Sequence, residues 1–297
     1  MKDKQLLDYT DEEISALAHE IVEKGSVVIH DQNIDRHQYV EICKRFGKVE
    51  ELDYFMNPVD SPQISIVSGK VVDGKAIGMF GPTELEWHAN GTGRYDFDEI
   101  CVGLYCKEEC IDTVLSIVDQ RAPFEDLSEE DKEYFRNIEV HFNNEGERAR
   151  IWRDDGVYSK AYKEASGSPE KNFRTGKKWY GEKIDRRPLV ARHPVDGKEY
   201  FYPMFIYLYR AWYKGVEMTQ EEFDDFFDRL YAIITRSKYM VHHVFRRGDL
   251  LFMDQLITSH RRSAVKFKDR ELWRTAFEYS KSVKDYKPVR FDETKVD

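Results

Sequence analysis

The sequence predicts a mainly β fold, a sandwich or jelly roll of short strands to which a few helices are added. Apolar segments of strand length recur along the chain, separated by glycine, proline and charged turns. Few helical patterns interrupt them, which favours packed layers of strands over alternating βα units. The segments read PQISIVS, EICVGLYC, DTVLSIVD, RPLVARHP, EYFYPMFIYLY and DLLFMD.

Capping residues predict four helix starts, at Thr10, Asp35, Ser128 and Thr219. The first start is a capping box with Glu13, and this helix should run to about residue 23 before Gly25 ends it. The strand SVVIH follows it. The second helix should end at Gly47, and the fourth begins with a further capping box that includes Glu222.

A chain of 297 residues could hold one large domain or two ordinary ones, and we treat residues 1–297 as one globular domain with an insertion. The polar stretch at about 143–187 has no clear period, so we expect an insertion that acts as a lid or an interface. No apolar run approaches about 18 residues, which argues against a membrane partner. A net charge of -10 argues against nucleic acid. The first residues lack the pattern of a secretory signal, so a cytoplasmic location is expected, with a small-molecule partner and a homo-oligomer left open.

Three of the four cysteines, Cys101, Cys106 and Cys110, have the spacing C-x4-C-x3-C. This is not a usual zinc or iron–sulfur spacing, and no CxxC pair completes it. Two of them lie in the apolar run ICVGLYC, where cysteine behaves as a small hydrophobic residue. Reduced structural thiols are therefore the expectation.

The stretch LEWHANGTG contains half of a metal-site pattern. In an extended segment, His88 and Asn90 point to the same side because side chains alternate. His260 ends an apolar strand that a glycine turn starts, in GDLLFMDQLITSH. Two imidazoles and one carboxylate on one face form the usual non-heme iron site, which leaves positions open for substrate and dioxygen. Here an amide replaces the carboxylate.

Several blocks, in order, resemble the taurine dioxygenase (TauD/TfdA) family of iron(II)- and 2-oxoglutarate-dependent oxygenases. EWHANGTG stands where the family has W-H-x-D, and CIDTVLSIVD resembles its G-D-T strand. RRPLVARHPVDGKEYFYP resembles the family's V-x-x-H-P segment. FRRGDLLFMDQLITSHRRSAVKFKDRELWRTAF resembles the closing block G-D-x-x-x-W-D-N…H…R-x-x-x-R. The resemblance covers nearly the whole chain except the polar insertion.

The resemblance implies a double-stranded β-helix with ferrous iron near one open end, and O2 and 2-oxoglutarate as co-substrates. His88 and His260 would be metal ligands, with Asn90 at the carboxylate position. Thr113 and Arg270 would hold the distal carboxylate of 2-oxoglutarate, since a planar guanidinium binds a carboxylate with two hydrogen bonds. Two further roles are implied: Arg274 would lie near the C1 end of 2-oxoglutarate and the substrate's anionic group, and Asp254 would support the second histidine.

The departure at Asn90 leaves three outcomes open. In the first, the chain is a working oxygenase in which the amide oxygen, a neutral and weaker donor, or a water fills the ligand position. In the second, it is a halogenase-like variant in which a halide takes that position, although asparagine is bulkier than the glycine or alanine usual there. In the third, it is a catalytically impaired family member, or carries an Asp→Asn change that traps a complex.

The substrate hypothesis rests on Glu84 and Glu86. Strand alternation should turn both carboxylates to the face of His88, which suggests a cationic substrate. The alternative is that one or both glutamates point to solvent at a loop. Hydroxylation of an unactivated C–H of a small basic amino acid or amine, with 2-oxoglutarate decarboxylated to succinate, is then the expected reaction, and Arg274 could bind the substrate's carboxylate. A binding module without chemistry and a sugar-binding jelly roll remain rivals on fold alone. A P-loop nucleotide enzyme is disfavoured because no G-x-x-x-x-G-K-S/T motif is present.

Overall fold

The computed structural model describes residues 4–51, 57–78, 84–90, 100–109, 111–142, 186–202, 205–265 and 270–287. Within these ranges the chain is mainly antiparallel β-sheet with a few helices, which confirms the predicted fold class. The polar insertion expected at about 143–187 lies almost wholly outside the described residues. No helix in the ranges given is long and apolar enough to cross a membrane.

The larger of the two principal sheets has five strands. They are β1 (Ser26–Ile29), β2 (Ser65–Val67), β6 (Cys101–Glu108), β15 (Leu250–Asp254) and β17 (Glu271–Phe277). Their order across the sheet is β1-β15-β6-β17-β2. The central strands are buried on both faces, because helices cover the outer face and the second sheet covers the inner face.

The second principal sheet has four strands. They are β5 (Leu85–His88), β7 (Leu115–Asp119), β14 (Met240–His243) and β16 (Thr258–Arg262), and their order across the sheet is β14-β7-β16-β5. Apolar side chains of both sheets meet in one buried cluster, for example Leu104 of β6 with Leu115 of β7 and Leu272 of β17. The two sheets therefore face each other, as in a jelly roll.

Smaller sheets and helices complete the described chain. The smaller sheets contain β3 (Val71–Val72) with β4 (Lys75–Ala76), β10 (Val190–Arg192) with β11 (Glu199–Phe201), and the set β8 (Ile138–Phe142), β9 (Arg187–Pro188), β12 (Leu208–Tyr213) and β13 (Val216–Glu217). The helices are α1 (Asp11–Lys24), α2 (Arg36–Phe46), α3 (Arg121–Glu125), α4 (Glu129–Arg136) and α5 (Gln220–Ile234).

The predicted helix starts are confirmed. Thr10 and Thr219 each accept from the backbone N–H three residues on, and the glutamate there accepts from the cap's own backbone N–H. Asp35 forms the same reciprocal pair with Gln38, and Ser128 caps α4 with its side chain. The expected thiols are also found: Cys43, Cys101 and Cys106 are buried and unbridged, while Cys110 lies outside the described residues.

Candidate functional site

Two histidines meet where the second sheet pairs β5 with β16. His88 and His260 are direct register partners, and their ring centroids are 4.3 Å apart. Both are buried, with exposed fractions of 5% and 6%. The sequence places them 172 positions apart (260 − 88), so only the antiparallel pairing of these strands brings the two imidazoles together.

The ring nitrogens of the two histidines differ in their hydrogen bonding. His88 Nδ1 lies 2.6 Å from the backbone oxygen of Glu86, and since a carbonyl only accepts, Nδ1 carries the proton and Nε2 keeps a lone pair. Such a hydrogen bond from the second nitrogen is how metal-binding histidines are commonly oriented. His260 Nδ1 is buried and has no hydrogen-bond partner in the described part of the chain.

Both imidazoles are held in the neutral form. Burial lowers the pKa of His88 to about 4, against the opposing hydrogen bond to Glu86, and the charges of Arg262 and Arg274 lower it further. Burial, then His88 and Arg274, lowers the pKa of His260 well below its ordinary value. A neutral imidazole is the form that binds a metal ion, so the pair is suited to that role near neutral pH.

Asn90 lines the same pocket as the two histidines and is hydrogen-bonded to Gln255. The Gln255 side-chain oxygen accepts from the backbone N–H of Asn90 at 2.9 Å and from its side-chain nitrogen at 3.1 Å. Within the ranges described, no group of three His, Cys, Asp or Glu could hold a metal ion. A third metal ligand from these ranges therefore has to be a group other than a carboxylate or a thiolate. The side-chain amide of Asn90, which lines the pocket, is such a group. This donor set of two nitrogens and one amide oxygen fits a divalent iron or manganese ion.

Three buried arginines line the pocket. Arg270 and Arg274 line it together with Thr113, and they are joined by Arg262, which the sequence did not single out. The exposed fractions of the three arginines are 2%, 2% and 5%. A signal for Arg262 was available, since it lies two positions after His260 on β16 and therefore shares its face.

The rest of the pocket wall is apolar. Its empty space is about 580 Å³, including the opening to solvent, which is within the usual range for small-molecule sites. The apolar lining residues come from both principal sheets and one loop: Val67, Leu85, Leu104, Leu115, Phe245 and Leu272. The pocket thus combines apolar walls with cationic groups and a candidate metal site.

Glu84 and Glu86 are not among the residues that line this pocket, which differs from the orientation that strand alternation predicts. His260 lies opposite His88 whereas Arg262 lies opposite Leu85, so β5 has one more residue than β16 between these pairs. This bulge interrupts the alternation and turns Leu85, instead of Glu86, toward the pocket. Glu84 accepts from Arg261 at 2.6 Å, and Glu86 is 3.3 Å from the hydroxyl of Tyr231 on α5.

Asp254 supports a different histidine from the one expected. Its carboxylate is 3.2 Å from His193 Nε2 and accepts from the Tyr279 hydroxyl at 3.1 Å, while its other oxygen accepts from the backbone N–H of Leu256. Asp254 ends a strand of the five-stranded sheet, whereas His260 lies in the opposite sheet. The expectation that Asp254 holds His260 is therefore wrong.

A comparison with known families now bears on this geometry. The family described as "Taurine catabolism dioxygenase TauD, TfdA family" matches residues 3–276. This chain belongs to the TauD/TfdA family. Its members are iron(II)- and 2-oxoglutarate-dependent dioxygenases that use O2, so the chain is an enzyme of this general kind.

One relative and two solved structures are similar to this TauD/TfdA chain at 16–23% identity. Pentalenolactone F synthase of Streptomyces arenae is 23% identical over 255 residues, which cover 80% of this chain and 76% of that protein. A taurine dioxygenase from Burkholderia xenovorans superposes with a TM-score of 0.66 at 16% identity, covering 92% of this chain and 83% of that one. The structure of AAD-2 in complex with Mn(II) and N-oxalylglycine superposes with a TM-score of 0.67 at 18% identity. The match covers 93% of this chain and 91% of that one. At these identities the structural matches speak for the fold alone.

Proposed function

We propose that this chain oxidises a small anionic molecule at an iron(II) centre held by His88, His260 and the amide oxygen of Asn90, with 2-oxoglutarate as co-substrate. The observation that carries the proposal is the buried histidine pair, 4.3 Å between ring centroids, in a pocket that Asn90 and three arginines also line.

The co-substrate's distal carboxylate is assigned to Arg270 and Thr113. A guanidinium holds a carboxylate with two parallel hydrogen bonds. The Thr113 hydroxyl, whose one proton is donated to Asp112 at 3.2 Å in this structure, would turn that proton to the bound carboxylate. Both residues are buried, with exposed fractions of 2% and 3%, so a charge–charge contact there is weakly screened by water. This assignment leaves the metal end of the pocket to the remaining groups.

The substrate's anionic group is assigned to Arg274 and Arg262. Both line the pocket, and both lower the pKa of His88, so their positive charges act close to the candidate metal ligands. The apolar wall then takes the body of the substrate. This replaces the expectation of a cationic amino acid or amine, because the carboxylates on which it rested are turned away from the pocket.

Asn90 suits an anionic substrate. An amide brings no charge, so the metal centre with bound 2-oxoglutarate carries one negative charge fewer than with a carboxylate ligand. Two unit charges about 6 Å apart repel by about 3 kcal/mol at an effective dielectric constant of about 20. A carboxylate at this position would oppose an anion brought next to the metal, and the amide removes that opposition.

Ferrous iron, when bound, supplies the activation of O2, with 2-oxoglutarate decarboxylated to succinate and one oxygen atom transferred to the substrate. The protein's own contributions are separate from this chemistry. Arg270 and Thr113 orient the co-substrate, Arg262 and Arg274 fix the substrate's anionic end, and the apolar wall excludes water around the C–H to be oxidised.

Succinate release tests the proposed function. We expect the protein with iron(II) and 2-oxoglutarate to release succinate faster with small apolar carboxylates or sulfonates than with their amine analogues. Repeating the panel with and without chloride separates hydroxylation from halogenation by mass spectrometry of the product. If no compound raises succinate release above the substrate-free rate, the remaining alternative is a catalytically impaired family member.

Two neighbouring arginines give a matched pair of variants for the substrate assignment. Arg262→Gln should raise the KM for the anionic substrate at least about tenfold, since a charge-assisted contact contributes about 1.5–3 kcal/mol. Arg261→Gln is the control, because Arg261 points outward to Glu84. Equal KM values for the two variants would contradict the assignment of Arg262.

A further inference from the structure

We infer that Gln255 is a positioning residue that holds the amide of Asn90 with its oxygen toward the metal site. By doing so, Gln255 makes the asparagine the third metal ligand of this chain. The inference rests on the metal centre of the proposed function. Gln255 is fully buried, and it contacts Asn90 twice through one side-chain oxygen.

The backbone of Asn90 determines which end of the Gln255 amide faces it. A backbone N–H can only donate, so the Gln255 atom 2.9 Å from it has to be the oxygen. The two ends of a side-chain amide are otherwise hard to tell apart, and this contact removes the ambiguity. The other end of the Gln255 side chain lies 3.4 Å from the Met253 backbone oxygen, an acceptor that suits its nitrogen.

The same oxygen then orients the Asn90 side chain. It lies 3.1 Å from one terminal atom of the Asn90 amide, and since an acceptor has to face a donor, that atom is the nitrogen Nδ2. The other terminal atom, the oxygen Oδ1, therefore points away from Gln255. Asn90 lines the pocket with His88 and His260, so the oxygen is the atom of its amide that remains for a metal ion.

A carboxylate at position 90 does not fit this arrangement. One oxygen of an aspartate would face the Gln255 oxygen, and two acceptors in contact repel. Turning the Gln255 amide over would satisfy the aspartate but would present –NH2 to the backbone N–H of residue 90. Either orientation leaves one buried contact mismatched, so Gln255 is complementary to an amide at position 90 and not to a carboxylate.

The separating experiment combines substitutions at both positions and measures binding of Mn(II), a redox-stable stand-in for iron(II), by electron paramagnetic resonance of the free ion. With Asn90 present, Gln255→Met should weaken Mn(II) binding about tenfold or more, the usual effect of losing a partner that orients a ligand. With Asn90→Asp, the further change Gln255→Met should leave binding unchanged or tighter, because a carboxylate presents an oxygen in either orientation.

Thermal unfolding without metal provides a second readout. Asn90→Asp should lower the Tm by about 2–4 °C when residue 255 is glutamine, and by less when residue 255 is methionine. Gln32→Met is the matched control, since Gln32 is also buried and also accepts from a backbone N–H, that of Leu6, away from the pocket. We expect the control to change stability without changing Mn(II) binding.

The outcomes distinguish the inference from the proposed function. Suppose that the unsubstituted protein binds Mn(II), and that Gln255→Met changes binding equally with and without Asn90→Asp, or changes it in neither background. The inference is then overturned and the metal centre stands. If neither the unsubstituted protein nor Asn90→Asp binds Mn(II), the metal centre itself is wrong, and the inference falls with it.

Discussion

A buried ion pair at the end of β15 in the five-stranded sheet should make the stability of the protein depend on pH. His193 Nε2 lies 3.2 Å from the carboxylate of Asp254, and the exposed fractions of the two residues are 1% and 0%. Burial opposes the charge of His193, but the nearby carboxylates of Asp254 and Asp196 outweigh it and raise the pKa of His193 to about 9. The folded protein therefore keeps a proton on His193 that the unfolded chain releases near pH 6.5.

The direction and size of the effect follow from this difference. A raised pKa in the folded state means that the stabilisation is fully present below pH 6.5 and is lost as the pH rises through about 9. Each pKa unit corresponds to about 1.4 kcal/mol, so the charged pair contributes about 3 kcal/mol to the free energy of unfolding. That is a substantial part of the about 5–15 kcal/mol typical of a folded protein.

Urea unfolding of the natural protein and of His193→Gln, from about pH 6 to about pH 10, measures this contribution. We expect the difference in unfolding free energy between the two proteins to shrink by about 3 kcal/mol across that range. Taking the difference removes the titrations that both proteins share. His37→Gln, a substitution of an exposed histidine on α2, serves as the control. A difference that stays constant with pH would refute the charged pair.

Three further substitutions test the fold and the site. Arg121→Met should lower the free energy of unfolding by about 3–5 kcal/mol, because this buried guanidinium binds Asp119 and Asp196 and donates to the last carbonyls of α1; urea unfolding measures it. Thr219→Ala should lower the free energy of unfolding by about 1 kcal/mol because the α5 capping box is lost; urea unfolding measures this too. His260→Ala should abolish measurable Mn(II) binding in a calorimetric titration, because one of the two imidazoles is removed.

Each substitution has a control. Arg136→Met removes an arginine whose pair with Glu199 is partly exposed, and it should cost no more than about 1 kcal/mol. Thr219→Ser keeps the capping hydroxyl and should retain most of the stability. His141→Ala removes a histidine of β8, outside the two principal sheets, and should leave Mn(II) binding intact. A loss equal to that of the paired substitution would contradict the assigned role in each case.

The helices and most strands could be predicted because their signals are local. A capping box such as Thr10 with Glu13 involves atoms three residues apart, and the left-handed φ of 72° at Gly25 is a conformation that glycine adopts without strain. The meeting of His88 with His260 is different in kind. It depends on strand pairing over 172 positions (260 − 88), and only the family resemblance, not composition or period, linked the two residues beforehand.

The predictions that differ from the structure have one physical origin, which is pairing between segments that are distant in the sequence. The bulge that turns Glu86 away arises between β5 and β16, and the sequence of β5 alone carries no sign of it. The partner of Asp254 was also misjudged, since His193 reaches it from a segment 61 residues earlier. Arg262 is an exception, because its local spacing from His260 was sufficient to place it on the same face of β16.

The charge of the pocket follows from these long-range features acting together. The bulge removes Glu86 from a wall where alternation would have placed it, and the pair of Asn90 with Gln255 favours an amide where a carboxylate is usual. The residues that line the pocket include three arginines and no acidic side chain in the part of the chain that the structure describes. In the proposed assignment, the distal carboxylate of 2-oxoglutarate lies against Arg270, and its other end lies at the metal site. Arg262 and Arg274 are the other cationic side chains of the pocket wall, and a substrate with an anionic group is complementary to them.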